Sequence, residues 1–202
     1  MDPSGQRLTL TYQVLDGDAV AAALDDLARL RIDVFADWPY LYAGSLDYER
    51  DYVATYRDAQ NAILVAAKDG DRIVGAATGT PMEDHASDFA APFAATGIPL
   101  TDIFYCAESV LLPDYRGQGA GHVFFDMREA KAKSLGRRYV AFCSVMRPED
   151  HPARPADYRP LDGFWRKRGY EKLDGVVARF KWTDHGDAEQ TEKPLQFWMK
   201  AL

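Results

Sequence analysis

The stretch Arg116-Gly117-Gln118-Gly119-Ala120-Gly121 places three glycines in six residues. Glycine lets a backbone approach a ligand closely and adopt conformations closed to other residues. The run before it ends Val110-Leu111-Leu112-Pro113 and has strand character, with neither Gly nor Pro from Ile103 to Leu112. The run after it reads as a helix, with Val123, Phe124, Met127, Ala130 and Leu135 in one broad apolar stripe and Gly136 at the C′ position. Strand, glycine turn and helix start together make a phosphate-binding device, because the first N–H groups of a helix lack intrahelical acceptors and face an incoming anion. A Walker loop would need Lys-Ser or Lys-Thr after the last glycine, where this chain has His122-Val123. A dinucleotide fingerprint would space its glycines G-x-G-x-x-G, with an acidic residue about twenty positions on. Neither condition is met. The one charged residue between Ile103 and Leu112 is Glu108. A carboxylate placed in such an apolar strand is either partnered or functional.

The pattern that fits is Arg/Gln-x-x-Gly-x-Gly/Ala, filled by Arg116, Gly119 and Gly121 and preceded by Leu111-x-Pro113 at a strand end. On these residues the chain resembles the GNAT superfamily of acyl-CoA-dependent N-acetyltransferases. The likeness extends over most of the chain from Leu8 onward, and Arg116–Gly121 is its one specific motif. It implies acetyl-CoA as co-substrate, with the backbone of Ser109, Val110 and Leu111 bonding the pantetheine and thioester. The N–H groups of Arg116, Gly117, Gln118, Gly119, Ala120 and Gly121, with His122, would hold the pyrophosphate. It also implies direct attack of a neutral amine on the thioester, which requires a base for the amine proton and favours an acid for the departing thiolate.

Glu108 is the candidate base; the alternative is a carboxylate bonded to neighbouring backbone donors. The family often has a Tyr four residues before the glycine of its short late helix. Here that position is Trp165, whose indole is no useful acid. Tyr158 is the candidate substitute, and His151 a second candidate base because histidine titrates near neutral pH. Tyr40 and Tyr42, with Trp38, Asp47, Tyr48 and Glu49, are candidates to line the acceptor pocket or else to pack the first two helices together. Arg147 and Arg154 are candidates for a substrate carboxylate, or for pairing with Glu149 and Asp157. Trp165 also keeps open a non-catalytic CoA-binding sensor or interaction module on the same fold.

Composition frames these readings. The 202 residues suit one domain over 1–202, with 1–7 expected as a flexible tail. A formal charge of −7 argues against nucleic acid as partner. No apolar run reaches membrane-spanning length, and the start Met-Asp-Pro-Ser-Gly-Gln-Arg lacks a signal-peptide core, so a cytoplasmic, membrane-free protein is expected. Four scattered histidines give no metal-ligand spacing, and no metal is expected. Cys106 and Cys143 read as buried thiols. Charge is uneven: net +4 from Arg116 to Arg138 suits an anionic cofactor, whereas −3 from Asp37 to Asp58 suits a cationic acceptor, such as a small-molecule or peptide amine. Both could equally be solvated faces. A homodimer is left open.

The elements that must position these groups follow from periodicity and punctuation. Leu8–Val14 reads as a strand. Val20, Leu24, Leu27, Leu30 and Val34 define an amphipathic helix over Ala19–Phe35. Ser45 or Asp47 caps a second helix through about Arg57. Ala62–Lys68 and Arg72–Thr80 form a hairpin about Asp69-Gly70-Asp71. Residues 83–102 read as a long loop, and 147–160, with four prolines in fourteen residues, as another. Ile103–Leu112 and Tyr139–Met146 are strands, and Asp162 caps a short helix ending at Gly169. Tyr170–Leu173, Val176–Trp182 and Leu195–Lys200 are strands, with a loop over Thr183–Lys193. The expected fold is α/β (α+β), a GNAT-like mixed, mainly antiparallel sheet of about seven strands with helices on both faces.

Overall fold

Asp69-Gly70-Asp71 turns the chain as its residues dictate: Gly70 takes φ +58°, which a side chain would resist. The flanking strands β2 (Ile63–Asp69) and β3 (Arg72–Pro81) pair antiparallel. The computed structural model describes residues 9–202. The expected 1–7 tail and Leu8 lie outside them.

The chain forms two compact units. The first comprises Met1–Val34, Gly44–Thr80 and Cys106–Lys131. In it β1 (Thr11–Leu15) pairs antiparallel with β2, β2 with β3, and β3 with β5 (Ser109–Leu111). Helix α1 (Gly17–Phe35) buries Val20, Leu27 and Leu30 of the anticipated stripe. Helix α2 (Leu46–Asp58) is capped by Ser45, whose Oγ accepts from the Tyr48 N–H at 3.4 Å. Helix α4 (Ala120–Ser134) begins directly after the glycine loop.

The second unit comprises Phe35–Ala43, Pro81–Tyr105 and Ala132–Leu202. Its strands run β4 (Ile103–Tyr105), β6 (Tyr139–Val145), β8 (Gln190–Ala201) and β7 (Glu171–Thr183). The β4–β6 pair is parallel and the other two are antiparallel. The fold is thus the expected mixed α/β arrangement with mainly antiparallel pairing, in eight strands.

One expected strand is divided by a break that the apolar run conceals. Ile103–Leu112 is two strands, separated at Cys106-Ala107-Glu108. Thr78 of β3 donates its N–H to the Glu108 carbonyl at 3.1 Å, and its own carbonyl accepts from the Ala107 N–H at 3.1 Å. Two residues thus face one, which is a β-bulge, a device that re-aims a side chain.

Residues 83–102 differ from the expected loop. They contain helix α3 (Ala86–Phe93), because Phe89 and Phe93, one helical turn apart, both bury against Phe197 at ring separations of 5.2 and 4.9 Å. Two further strand expectations merge or lengthen. Tyr170–Leu173 and Val176–Trp182 form the single β7, with its irregularity between Lys172 and Val177, and β8 begins at Gln190, so only 184–189 connect them. Long antiparallel pairing carries these polar residues into the ladder where composition alone suggests a loop. Residues 147–160 are irregular as expected, folded into successive turns closed by His151 N–H to Pro148 O, Arg154 N–H to His151 O and Tyr158 N–H to Pro155 O.

Close packing of β3 on β5 centres on Gly75. A Cβ there would lie 2.6 Å from Leu111 Cδ1 and 3.0 Å from the Val110 carbonyl oxygen. Gly75→Val is therefore expected to lower unfolding free energy by about 1–3 kcal/mol, read as a fall in the urea midpoint.

Candidate functional site

The glycine loop lies wholly in the first unit. Pro113–Tyr115 makes a short 3-10 turn after β5. The buried Tyr115 pins that turn to the β2–β3 hairpin, its hydroxyl donating to Asp69 Oδ2 at 2.7 Å. This bond, then burial, raises the Tyr115 hydroxyl above its ordinary range. Arg116 Nε donates to the Leu111 carbonyl at 3.1 Å and Gln118 Nε2 to that of Asp114 at 3.3 Å, drawing the loop back over its own entry. Gly117 and Gly119 sit at φ +76° and +95°, each with open space where a Cβ would be.

The loop's main-chain N–H groups are its chemical content. Arg116 N–H is used by Pro113 O and His122 N–H by Gly119 O. Those of Gly117, Gln118, Gly119, Ala120 and Gly121 donate to no main-chain carbonyl among the described residues. Five donors at the start of a fifteen-residue helix favour an anion, through both hydrogen bonds and the helix dipole. A diphosphate therefore fits the residues present. β5 adds to this: among the described residues it pairs only with β3, through Gly75–Leu111, Ala76–Val110 and Ala77–Ser109.

The bulge aims Glu108 inward. Its side chain is 9% exposed, with Oε1 2.6 Å from Arg31 Nη1 and Oε2 accepting from the Tyr52 hydroxyl at 2.9 Å. Tyr52 and Tyr56 hydroxyls lie 3.1 Å apart, and the Arg31 guanidinium carbon sits 4.2 Å above the Tyr52 ring. Arg31 Nε also donates to Glu49 Oε2. Burial, and next the Glu108 charge, push both tyrosine hydroxyls well above their ordinary range, so they act as neutral donors. Burial works against the Arg31 charge, but Glu108, Tyr52 and Glu49 outweigh it and leave the guanidinium firmly protonated.

The bulge is itself held by Arg128, 1% exposed. Its Nη1 donates to the carbonyls of Glu108 at 2.9 Å and Thr78 at 3.2 Å, its Nη2 to Ser109 Oγ at 2.8 Å, and its Nε to the Phe124 carbonyl at 3.1 Å. Sequence reasoning missed Arg31, Tyr52, Tyr56 and Arg128. The available signal was a charge at a stripe position: 20, 24, 27, 31 and 34 follow helical spacing on α1.

Of the other anticipated residues, Asp47, the exposed Tyr48 and the buried Glu49 lie on α2 in the first unit, and the rest gather in the second. Tyr158 and His151 both face Trp38, at ring separations of 5.9 and 5.1 Å, and His151 Nδ1 accepts from the Ala153 N–H at 3.2 Å. Burial raises the Tyr158 hydroxyl, Asp162 adds to the rise, and Arg154 opposes it. Arg154 donates to the Glu149 carbonyl and lies 5.7 Å above the Tyr158 ring. Arg147 is committed: it donates to both Asp184 oxygens and to the carbonyls of Pro39 and Tyr40. Burial works against the Asp184 charge, but Arg147 and Lys193 outweigh it and hold the carboxyl low, so the ion-pair alternative is met for Arg147 by Asp184 and not by Glu149 or Asp157. Tyr40 packs on Phe35 at 4.6 Å, and Tyr42 bridges to Asp184. Trp165 packs between Phe142 and Trp198 at 4.9 and 5.1 Å. Burial pushes the Cys143 thiol up to about 12, which makes it inert at neutral pH.

A strand broken by a bulge is followed by a glycine turn and a helix, an arrangement that offers main-chain N–H groups to an anion. The profile of the acetyltransferase (GNAT) family matches residues 27–170, and the chain belongs to that family. No curated protein sequence matches it. Solved structures align over nearly its whole length at low identity. They include a ribosomal-protein-alanine N-acetyltransferase from Brucella melitensis (14% identity, TM-score 0.59, 96% of this chain and 100% of that one). A GCN5-related N-acetyltransferase from Kribbella flavida aligns similarly (12%, 0.59, 96% and 98%). So does the PaiA N-acetyltransferase from Thermoplasma acidophilum, in complex with coenzyme A (11%, 0.54, 96% and 99%). At such identities the likeness establishes the fold. No helix among the described residues is long and apolar enough to cross a membrane.

Proposed function

We propose that the chain transfers an acetyl group from acetyl-CoA to a primary amine of a small molecule or protein, by direct attack in a ternary complex. The observation that carries this reading is the set of five N–H groups from Gly117 to Gly121 that have no main-chain acceptor among the described residues. They bind the diphosphate, while the Ser109–Leu111 backbone, paired on its β3 edge, bonds the pantetheine arm. Acetyl-CoA supplies the activated thioester carbonyl. Glu108 takes the amine proton: each carboxylate oxygen offers two lone-pair sites, so one bond apiece to Arg31 and Tyr52 leaves capacity for it.

The loop is tested by Gly119→Val. At φ +95° a β-branched residue costs about 1–3 kcal/mol of strain. Acetyl-CoA affinity is expected to fall about 5- to 150-fold by calorimetry, that strain converted at about 1.4 kcal/mol per tenfold. Unchanged affinity would remove the loop from the cofactor site. The packing of Trp165 at the usual acid position favours a second reading, a CoA-binding module without turnover. Thiol release from acetyl-CoA across a panel of primary amines and lysine-containing peptides decides between them.

A further inference from the structure

Two carboxylates share one guanidinium in the first unit. Arg31 reaches Glu49 through Nε and Glu108 through Nη1. Glu49 is fully buried, and its Oε1 has no hydrogen-bond partner among the described residues. With both carboxylates ionised, one positive and two negative charges would give this buried set an excess negative charge. A structural ion pair would be satisfied by a single carboxylate, and a second, half-satisfied one is costly. Its effect falls on Glu108. The groups facing Glu108 are Arg31 from α1, Tyr52 from α2, and the Thr78 N–H and Arg128 guanidinium, which engage only its carbonyl. Glu49 and Tyr56 stand one step behind, on Arg31 and Tyr52.

We propose that Arg31 and Glu49 are positioning residues that hold the Glu108 carboxylate in a fixed orientation while keeping it ready to accept a proton. Arg31 alone would orient Glu108 but would also hold it as an anion. Glu49 draws part of that positive charge to itself and adds a negative charge nearby, so orientation is kept and the hold on the anion is relaxed. Tyr52, a neutral donor backed by Tyr56, fixes the second oxygen without adding charge. The catalytic meaning of this arrangement rests on Glu108 being the base proposed above.

The test is carbon-13 NMR of protein labelled at the glutamate side-chain carboxyl, the Glu108 signal being identified by its loss in Glu108→Gln. Glu49→Gln, nearly isosteric, leaves Arg31 to Glu108 alone and is expected to move the Glu108 titration to lower pH by about one unit. Arg31→Met removes the counter-charge and is expected to move it to higher pH by at least about as much. Opposite shifts are the signature, since damage to packing alone would not reverse sign between the variants. If Arg31→Met does not fold, Glu49→Gln decides: an unmoved or upward-moved titration overturns the proposal. The same displacement should appear in the acidic limb of kcat/KM for acetyl transfer. Failure of the base reading is separable, because Glu108→Gln would then turn over like the native chain while the NMR shifts persist.

Discussion

Glu108→Gln is expected to lower kcat for acetyl transfer by about 10²–10⁴-fold while leaving acetyl-CoA affinity unchanged. The substitution keeps size and hydrogen-bonding reach: the amide oxygen can face Arg31, and the amide N–H₂ can face a Tyr52 hydroxyl that now accepts. What is lost is the capacity to take a proton. An alkyl amine carries its proton at neutral pH, its ordinary pKa lying near 10.4. Without a base, only the small neutral fraction reacts. The deficit should therefore shrink as pH rises toward that value and more acceptor arrives already neutral. Initial-rate thiol release against pH, paired with acetyl-CoA calorimetry, checks both halves. Turnover equal to the native chain at neutral pH would exclude Glu108 as the base, and a lost affinity would place its role in the cofactor site instead.

The cofactor loop was legible because its signal is local. Glycine spacing, Pro113 and the α4 stripe lie within a few turns of one another, and each is a backbone property that composition reports directly. The hairpin about Gly70 and the Ser45 cap were legible for the same reason. The bulge was not. Residues 103–112 are uniformly apolar apart from Glu108, Ser109 and Tyr105, and nothing in that run announces that Thr78, about thirty residues earlier, takes Ala107 and Glu108 together. Glu108 could be singled out by its charge and Arg31 by its place in the α1 stripe, but nothing local joins the two or adds Tyr52, because those helix faces meet Glu108 only through tertiary packing. Helix α3 was hidden by its alanines and Pro92 because its only strong signal is two phenylalanines spaced i, i+4. Arg147 was read toward near neighbours, whereas its partner Asp184 lies 37 residues on, where β7 ends.

Arg128→Met is expected to destabilise the chain by about 2–4 kcal/mol, measured as a lower urea midpoint at unchanged slope. Methionine keeps much of the aliphatic volume, so the loss isolates the guanidinium. That group ties four oxygens: the carbonyls of Thr78, Glu108 and Phe124 and the Ser109 hydroxyl. Its charge makes each bond worth more than a neutral one, about 1.5–3 kcal/mol before the cost of burying the charge is deducted. The sum is held down because the Thr78 and Glu108 carbonyls each keep a backbone donor, Ala107 N–H and Thr78 N–H. Arg128→Lys should recover only part of the loss, because a point ammonium cannot span sites that a planar fork reaches in several directions at once. The effect should also extend beyond stability. Arg128 fixes the turn from Glu108 to Ser109, where the proposed base and the first pantetheine-bonding residue meet in sequence. The folded variant should then show both a weaker affinity for acetyl-CoA and a lower kcat. Gly75→Val, by contrast, disturbs β5 two residues further on at Leu111 and leaves the carbonyl clamp on the bulge in place. Its loss should therefore be of stability and affinity, with kcat preserved, and that difference separates the bulge as a catalytic device from the bulge as simple packing.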